Sequence, residues 1–273
     1  MVRTPLESTA ADLQAMRAAL NDLHLGGFRY YSQVASTNDL AINWAIEKAE
    51  DMSLILADEQ SNGRGRNGSK WFSAGKASLT FSLVVRPKKE EFRSIGFFTA
   101  LAALAVIQAI QDLLNKKIKP EIKWPNDILV NGRKVCGILT EATWIGNDLA
   151  SLVIGVGVNI SAEAVPSIEN IKQQATSLEQ EAKVSIDRIH LLHQILLAIN
   201  DWRIQLGSSE FMSAWEESLA YVGKRVIICP QNGRSWTGII QGLDQDGGLR
   251  VLNDQGESVS LHDGEVHLEL PGS

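Results

Sequence analysis

Two short polar segments combine residue types that could bind an anionic ligand. Residues 63–68 read GRGRNG and place Arg64 and Arg66 between glycines. Residues 123–127 read KWPND and set Lys123 beside a tryptophan, a proline and two polar side chains. Arginine presents a planar, permanently charged group that suits carboxylates and phosphates. Together the two segments indicate a site for a carboxylate or a phosphate.

The first of these segments lies within a glycine-rich stretch, residues 60–76, which we call the glycine segment. Its GRGRNG run also satisfies the dinucleotide fingerprint G-x-G-x-x-G. That fingerprint must open a helix, and the following residues 69–73, SKWFS, have no helical period. The run therefore does not predict a dinucleotide site. A solvated surface turn and a loop that an anionic ligand orders both remain open.

Three further features each have an ordinary structural interpretation beside a functional one. Residues 36–38, STN, follow a predicted strand, and Ser36 is expected to cap a helix whose free N–H groups could also meet a polar ligand. Pro125 interrupts strand pairing, so KWPND is either a plain strand break or a turn that aims side chains into a cleft. Residues 155–159, GVGVN, are a strand with glycines where a backbone or ligand could come close.

Periodicity and turn residues predict the elements that must position these segments. Helices are expected over residues 8–25, from Ser36 to about Ala49, and over 94–114, 187–206 and 209–219; strands are expected over 28–34, 53–57, 77–85, 121–124, 127–130, 134–142 and 149–160, with 60–76 as a polar loop. After residue 220 the sequence pattern changes to about five short strands separated by glycine turns, which predicts a small β-barrel. The predicted domains are a short N-terminal helix (1–27), a catalytic domain (28–220) and the barrel (221–273).

Composition bounds the class of protein. The chain has 273 residues and a formal net charge of −6. A dedicated nucleic-acid-binding protein is expected to carry an excess of positive charge, which this chain lacks. The two cysteines exclude a disulfide scaffold, and no His or Cys cluster has metal-site spacing. No secretory signal precedes the first strand, and the most apolar stretch is shorter than the roughly 20 residues of a membrane span. A cytoplasmic location without membrane attachment is the default expectation.

Taken together, the motifs resemble those of the biotin protein ligases, the biotin–[acetyl-CoA-carboxylase] ligases. The matching segments are STN at 36–38, EQ at 59–60, GRGRNG at 63–68 with Trp71, KWPND at 123–127, the stretch 134–141, and GVGVN at 155–159. They follow the family's order over about residues 28–160, and the C-terminal barrel matches in place and size. The resemblance implies an α+β fold, in which a mixed central β-sheet of the class II synthetase type is flanked by helices and followed by a small β-barrel.

The resemblance also assigns roles to individual residues. Lys123 and Arg66 are the implied catalytic residues. The implied biotin-binding residues are Ser36, Thr37, Asn38, Gln60, Gly63, Arg64, Gly65, Arg66, Lys123, Leu129, Gly137, Ile138 and Leu139. The implied nucleotide-binding residues are Arg66, Asn67, Gly68, Trp71, Lys123, Asn126 and Asn159. Metal ligands are not assigned.

The family's reaction has two steps. ATP, accompanied by Mg²⁺, activates the biotin carboxylate as biotinyl-5′-adenylate, and a lysine of the biotin carboxyl carrier protein of acetyl-CoA carboxylase then displaces AMP. Only about 27 residues precede the first catalytic strand, so the resemblance implies no DNA-binding repressor head; pairing into a homodimer stays open. Two departures, Ala74 where many members have proline and Thr80 where many have an aromatic, bear on pocket shape. A lipoate-type ligase and a non-catalytic biotin-binding module are the alternatives.

Overall fold

A computed structural model describes residues 6–7, 9–146, 148–165 and 175–269. The helices are α1 (Ala10–Ala19), α2 (Thr37–Ile46), α3 (Phe98–Leu113), α4 (Leu178–Ala182), α5 (Arg188–Ile204) and α6 (Ser209–Glu217). The strands are β1 (Leu6–Glu7), β2 (Gly27–Val34), β3 (Ser53–Arg64), β4 (Lys70–Ser73), β5 (Ser78–Val85), β6 (Pro120–Lys123), β7 (Asp127–Val130), β8 (Arg133–Ile145), β9 (Asp148–Asn159), β10 (Arg225–Cys229), β11 (Trp236–Leu243), β12 (Leu249–Asn253), β13 (Ser258–Leu261) and β14 (Glu265–Leu268).

The strands form two separate sheets. The first has nine strands in the order β1-β2-β3-β5-β9-β8-β7-β6, with β4 paired to β3 outside this path. Strands β2 and β3 run parallel, whereas β3 and β5, β5 and β9, and β8 and β9 run antiparallel. The predicted mixed central sheet in an α+β fold is therefore confirmed.

Strand β5 shows how the sheet divides the core into two layers. All eight of its residues are buried, and their side chains alternate between the two faces of the sheet. Leu79, Phe81 and Leu83 join the large core formed with helices α3 and α5. Ser78, Thr80 and Ser82 alternate with them and point to the opposite face. The face that carries α2 thus receives a row of buried hydroxyl groups.

Helix α2 covers that opposite face. Ser36 is its N-cap, because the hydroxyl oxygen accepts a hydrogen bond from the backbone N–H of Asp39 at 3.3 Å, as predicted. Ala41 and Ala45 lie on its buried side and pack against Ile55 and two valines of the sheet. These small side chains bring the helix N-terminus close to the sheet. The helix ends at Ile46, three residues before the predicted end.

The glycine segment is not the irregular loop that the sequence predicts. Strand β3 continues to Arg64, a 3₁₀ turn spans Arg66–Gly68, and β4 returns as the second arm of a hairpin. Backbone pairs join Gly63 to Trp71 and Arg64 to Lys70. The prediction was wrong because the polar composition suggested a loop, whereas backbone pairing depends on the partner strand rather than on polarity.

The most apolar helical segment, Lys89–Leu113, is long and apolar enough by composition to cross a membrane. However, 61% of its most apolar window is buried inside the protein, and α3 lies in the large core. A 3₁₀ segment over Lys89–Phe97 precedes α3, so the α-helix starts at Phe98 instead of Ser94. The burial identifies α3 as a core helix.

The C-terminal sheet has the five expected strands, all antiparallel, in the order β13-β12-β11-β10-β14. Its pairing ladders, as far as the chain is described, leave β13 and β14 at the two ends of this sheet. It packs against the first domain: Leu243 N–H donates to Glu216 Oε1 at 2.8 Å, and Trp124 Nε1 donates to the Gly247 carbonyl at 3.3 Å. The two contacts hold the second sheet beside the KWPND turn.

The remaining differences concern element ends. Thr9 caps α1, which is shorter than the predicted helix and ends at Ala19, well before Gly26. Strand β8 extends to Ile145, three residues beyond its expected end. Helix α4 was not predicted, because its five residues are too few to show helical periodicity.

Candidate functional site

One cavity of about 1140 Å³ collects the predicted functional segments. Its walls come from the α2 N-terminus, the β3–β4 hairpin, the KWPND turn, the facing parts of β8 and β9, and β14 of the second sheet. The cavity therefore lies where both sheets meet.

A buried polar network forms the α2 end of the cavity. Thr37 donates to Gln60 Oε1 from its backbone N–H at 2.8 Å and from its hydroxyl at 3.1 Å. The hydroxyl oxygen of Ser82 lies 2.8 Å from Thr37 Oγ1 and 2.6 Å from Asn38 Oδ1. The Asn38 amide nitrogen donates to the Leu139 carbonyl at 3.2 Å and to Glu141 Oε2 at 2.8 Å. Matched donors and acceptors thus stand at fixed positions, as recognition of a small polar ring requires.

Arg64 anchors the base of the glycine segment to this network. Its Nη1 and Nη2 donate to the two carboxylate oxygens of Glu141 at 2.9 and 2.7 Å, and Nε donates to Asp39 Oδ1 at 3.0 Å. The paired carboxylates, Glu141 first, raise the pKa of Arg64 above its usual value. The guanidinium therefore links β3 to β8 and to α2 through its hydrogen bonds.

Lys123 ends β6 and lines the cavity, with only 7% of its surface exposed. The hairpin pairs it with Asp127, and Asn126 fixes the turn because its Nδ2 donates to the Ile138 carbonyl at 2.8 Å. Burial lowers the pKa of Lys123, Asp127 counteracts this effect, and the charge of Lys134 adds to it. A buried ammonium of this kind can stabilise negative charge on a bound ligand.

The tip of the glycine segment contacts the C-terminal sheet. Arg66 Nη2 lies 2.6 Å from Asp263 Oδ1, and Nη1 donates to the Gly264 carbonyl at 3.4 Å. Asn67 Nδ2 donates to Glu265 Oε1 at 3.4 Å. The segment thus lines the cavity, and residues of the second domain hold its tip.

The glycines of β8 and β9 make room for two functional side chains. A Cβ atom placed on Gly157 would stand 2.4 Å from the indole ring of Trp71, and one on Gly155 would stand 2.0 Å from Asn38 Oδ1. The sequence predicted that a backbone or a ligand would come close to these glycines. In the structure, the side chains of Trp71 and Asn38 do so. The Trp71 ring packs against Gly137 and Gly157, and its Nε1 is buried without a hydrogen-bond partner.

Nearly all of the residues predicted from the resemblance line this one cavity. They are Ser36, Thr37, Asn38, Gln60, Gly63, Arg64, Gly65, Arg66, Asn67, Gly68, Trp71, Lys123, Asn126, Gly137, Ile138, Leu139 and Asn159. Leu129 is the exception: it is fully buried in β7 and is not among the lining residues. Alternation along β7 places it on the same face as Asp127, which does line the cavity. The Asn159 amide donates to the Thr176 carbonyl at 3.0 Å, so it also positions the chain beside the cavity.

The site contains functional neighbours that sequence reasoning did not assign. Glu141 and Asp39 hold Arg64, and alternation along β8 could have suggested the former. Lys134 lines the cavity with its ammonium 2.6 Å from Asp127 Oδ1. Glu265 and His267 of β14 also line the cavity, and no local sequence pattern predicts this position for them.

The arrangement suits the joining of a carboxylate to a phosphate. Lys123, Arg64 and Arg66 place positive charge along the cavity, as stabilisation of developing negative charge requires. No group of three His, Cys, Asp or Glu side chains that could hold a metal ion occurs in the described ranges. Mg²⁺ usually binds through one or two carboxylates together with substrate phosphates and water, and Asp127 and Glu265 provide carboxylates in the cavity.

Comparisons with known proteins agree with this geometry. The model of the biotin/lipoate A/B protein ligase family matches residues 30–159, and that of the biotin protein ligase C-terminal domain matches residues 221–268. The bifunctional ligase/repressor BirA of Bacillus subtilis is 33% identical over 231 residues, covering 83% of this chain and 70% of the relative. The biotin–[acetyl-CoA-carboxylase] ligase of Paracoccus denitrificans is 32% identical over 210 residues, covering 75% of this chain and 86% of the relative.

Among solved structures, the biotin protein ligase of Aquifex aeolicus in complex with biotin and ATP superimposes with a TM-score of 0.75 at 28% identity, covering 89% of this chain and 98% of the other. Sequence and structure therefore agree over both domains. This chain belongs to the biotin/lipoate A/B protein ligase family, among its biotin protein ligases.

Proposed function

We propose that the protein uses ATP to attach biotin to one lysine of a biotin carboxyl carrier protein, in two steps. A biotin carboxylate oxygen attacks the α-phosphorus of ATP, which forms biotinyl-5′-adenylate and releases pyrophosphate. The carrier lysine, as the free amine, then attacks the acyl carbon, forming an amide and releasing AMP. The observation that carries the proposal is that Lys123, the closed glycine segment and the Thr37–Gln60–Asn38 network line one cavity.

For the first step, we assign charge stabilisation to Lys123 and Arg66. Two anionic reactants meet in this step, so a fixed ammonium between them lowers the electrostatic barrier. Arg66 is at present paired with Asp263, and a nucleotide phosphate would compete for its guanidinium. Arg64 acts through its tie to Glu141, which keeps the segment in place over biotin.

For the second step, the closed segment protects the adenylate from hydrolysis until the carrier arrives. The ureido ring of biotin would meet the α2 network, and the apolar chain would lie along Ile138 and Leu139 of β8. Trp71 and the Gly157 backbone would form the nucleotide side, together with Asn67, Gly68, Asn126 and Asn159.

Mg²⁺ would enter with ATP and be held by phosphate oxygens, with Asp127 or Glu265 within the same cavity. We place the domain boundaries at residues 28 and 221, and the separation of the two sheets supports the second of these. A cytoplasmic location is expected. Pairing into a homodimer stays open, and sedimentation of the purified protein would test it.

Incubation with a carrier domain, ATP, Mg²⁺ and radiolabelled biotin tests the function. The expected result is one biotinyl group on one lysine of the carrier, seen by streptavidin blotting and intact mass. A carrier whose acceptor lysine is replaced by arginine should stay unlabelled. Lipoate, offered in place of biotin, should not support pyrophosphate exchange. If this protein does not label a carrier domain that a known biotin ligase labels, the proposed function is contradicted.

A further inference from the structure

We propose that Ser82 of β5 is a positioning residue for biotin recognition, which directs the hydrogen bonds of Thr37 and Asn38 without touching the ligand. Its side chain is fully buried and is not among the groups that line the cavity, whereas Thr37 and Asn38 both line it. This inference rests on the biotin-dependent function proposed above and concerns the polar network at the α2 end of the cavity.

The sheet fixes Ser82 beneath the start of α2. Backbone pairs join it to Ile55 of β3 and to Gly155 of β9, so a strand flanks it on each side. A Cβ atom placed on Gly155 would stand 2.0 Å from Asn38 Oδ1. The missing side chain therefore lets Asn38 lie against the sheet, where its amide oxygen meets the Ser82 hydroxyl at 2.6 Å. Strand pairing, and not the ligand, sets the position of this hydroxyl.

The network has fewer hydroxyl protons than oxygen–oxygen contacts. Ser82 Oγ lies 2.6 Å from Asn38 Oδ1 and 2.8 Å from Thr37 Oγ1. Thr37 Oγ1 in turn lies 3.1 Å from Gln60 Oε1. Only the two hydroxyl groups bring protons to these three contacts, because amide oxygens are acceptors. The Ser82 proton belongs to the shortest contact, since Asn38 Oδ1 has none to offer, and the Thr37 proton is then shared between Ser82 and Gln60.

The shared Thr37 proton makes this end of the cavity complementary to a donor. When the Thr37 hydroxyl donates to Ser82, Gln60 Oε1 keeps the Thr37 backbone N–H at 2.8 Å and has a second lone pair open. A ligand N–H can then donate to Gln60 Oε1 while every hydroxyl proton stays paired. The cyclic urea of biotin carries N–H groups of this kind. Ser82 thus allows the network to accept a ring N–H.

Without the Ser82 hydroxyl the network would change its polarity. Thr37 would direct its proton to Gln60, which fills the acceptor that the ligand N–H needs. Asn38 Oδ1 would also lose its buried donor, and Asn38 cannot turn its amide to compensate, because the nitrogen already donates to two acceptors on β8. A buried polar atom without a partner is costly. Both effects act on the α2 end of the cavity and leave its phosphate-binding cations unchanged.

The test compares Ser82→Ala with wild type and with Ser78→Ala. Ser78 lies on the same strand and the same face, is equally buried, and its hydroxyl has no hydrogen-bond partner, so its variant is the matched control. Calorimetry measures binding of biotin and, separately, of a non-hydrolysable ATP analogue with Mg²⁺. We expect Ser82→Ala to bind biotin about three- to tenfold more weakly, the usual effect of one hydrogen bond. Ser78→Ala should bind biotin like wild type, and both variants should bind the analogue like wild type.

A change in the ligand separates positioning from a loss of packing. In the two cyclic carbamate analogues of biotin, an oxygen atom replaces one ureido N–H and offers lone pairs instead of a proton. One of the two isomers should bind wild type about tenfold more weakly than biotin, because it leaves the network acceptor unfilled. In Ser82→Ala this difference between biotin and the carbamate should shrink to less than about threefold, because the acceptor is already occupied by the Thr37 proton.

Ser82→Cys keeps a weak donor of similar size. It takes the place of Ser82→Ala if that variant does not fold, and it should show the same loss for biotin alone. Wild-type biotin affinity in the Ser82 variant, or an equal loss of affinity for the ATP analogue, would overturn the inference. If wild type itself binds no biotin, the proposed function fails instead.

Discussion

The guanidinium of Arg64 and the carboxylate of Glu141 form a two-point ion pair across 77 positions of sequence, with N–O distances of 2.9 and 2.7 Å. The pair joins the last residue of β3 to β8, and Glu141 also accepts from Asn38 in the first turn of α2. The base of the glycine segment and the polar end of the cavity are therefore parts of one network, so a change at either should be felt at the other.

Loss of the Glu141 charge should loosen the glycine segment. Glu141→Gln keeps the size of the side chain but removes the bidentate partner of Arg64, so trypsin should cleave between residues 60 and 70 several-fold faster in the ligand-free protein. Because both side chains are partly exposed, the free energy of unfolding should fall by only about 1 kcal/mol or less. Biotin with an ATP analogue should slow cleavage in wild type.

Glu90→Gln, at an exposed glutamate, is the control for this variant and should be cleaved like wild type. Equal cleavage rates for Glu141→Gln and wild type would show that Arg64 does not anchor the segment.

Removal of the Lys123 ammonium should abolish most adenylate formation. Lys123→Ala deletes the buried cation at the meeting point of the two anions, and loss of one preorganised donor typically costs about 10²–10³ in rate. Biotin-dependent exchange of pyrophosphate into ATP measures the step. Lys119→Ala, in which 79% of the native side chain is exposed, should exchange at the wild-type rate. An undiminished rate in Lys123→Ala would remove this lysine from the chemistry.

A methyl group at Gly157 should disturb Trp71. The added Cβ would meet the indole at 2.4 Å, so the ring must move or the strands must shift. Gly157→Ala should lower the free energy of unfolding by about 1–3 kcal/mol, as overpacking does, and should weaken nucleotide binding. In a Trp71→Ala background the same substitution should cost less than half as much, because the clash is gone.

Urea denaturation of wild type, the two single variants and the double variant gives the coupling free energy between positions 157 and 71. Gly96→Ala is the matched control, because its added methyl group meets no atom within 4 Å. If Gly157→Ala lowers the free energy of unfolding as much in the Trp71→Ala background as in wild type, residue 157 and the Trp71 indole are not in contact.

Tyr30 should make stability depend on pH in the alkaline range. Its hydroxyl donates to Asp58 at 2.8 Å, and Asp58 also pairs with Arg188 at the start of α5. Burial, followed by the hydrogen bond to Asp58, raises the pKa of Tyr30 from 10.0 to about 12. The unfolded chain therefore releases this proton first as the pH rises. Stability that is complete below pH 10 is lost progressively toward about pH 12.

Tyr30→Phe should remove this alkaline loss while lowering the free energy of unfolding by about 1 kcal/mol at pH 8. Urea denaturation at pH 8 and 11 should thus show a smaller gap between variant and wild type at the higher pH, whereas Tyr31→Phe should follow wild type. A gap that stays constant would mean that Tyr30 does not carry the dependence.

Much of the fold follows from local sequence signals. The Ser36 cap, the buried strand β5 and the Asn131-Gly132 turn between β7 and β8 depend on residues that are neighbours in sequence. The glycine segment was mispredicted as a loop because its hairpin depends on pairing between Gly63 and Trp71, which polar composition does not reveal.

The sequence by itself determined which segments are expected to line the site, because the residue types and their order within GRGRNG and KWPND are visible without a fold. Only the tertiary structure decided how the charges are paired. Arg64 meets Glu141, Arg66 meets Asp263 of the second domain, and Lys134 meets Asp127 next to Lys123. Charge pairing acts through space and weakens with distance, so partners far apart in sequence are chosen by the packing of strands and domains.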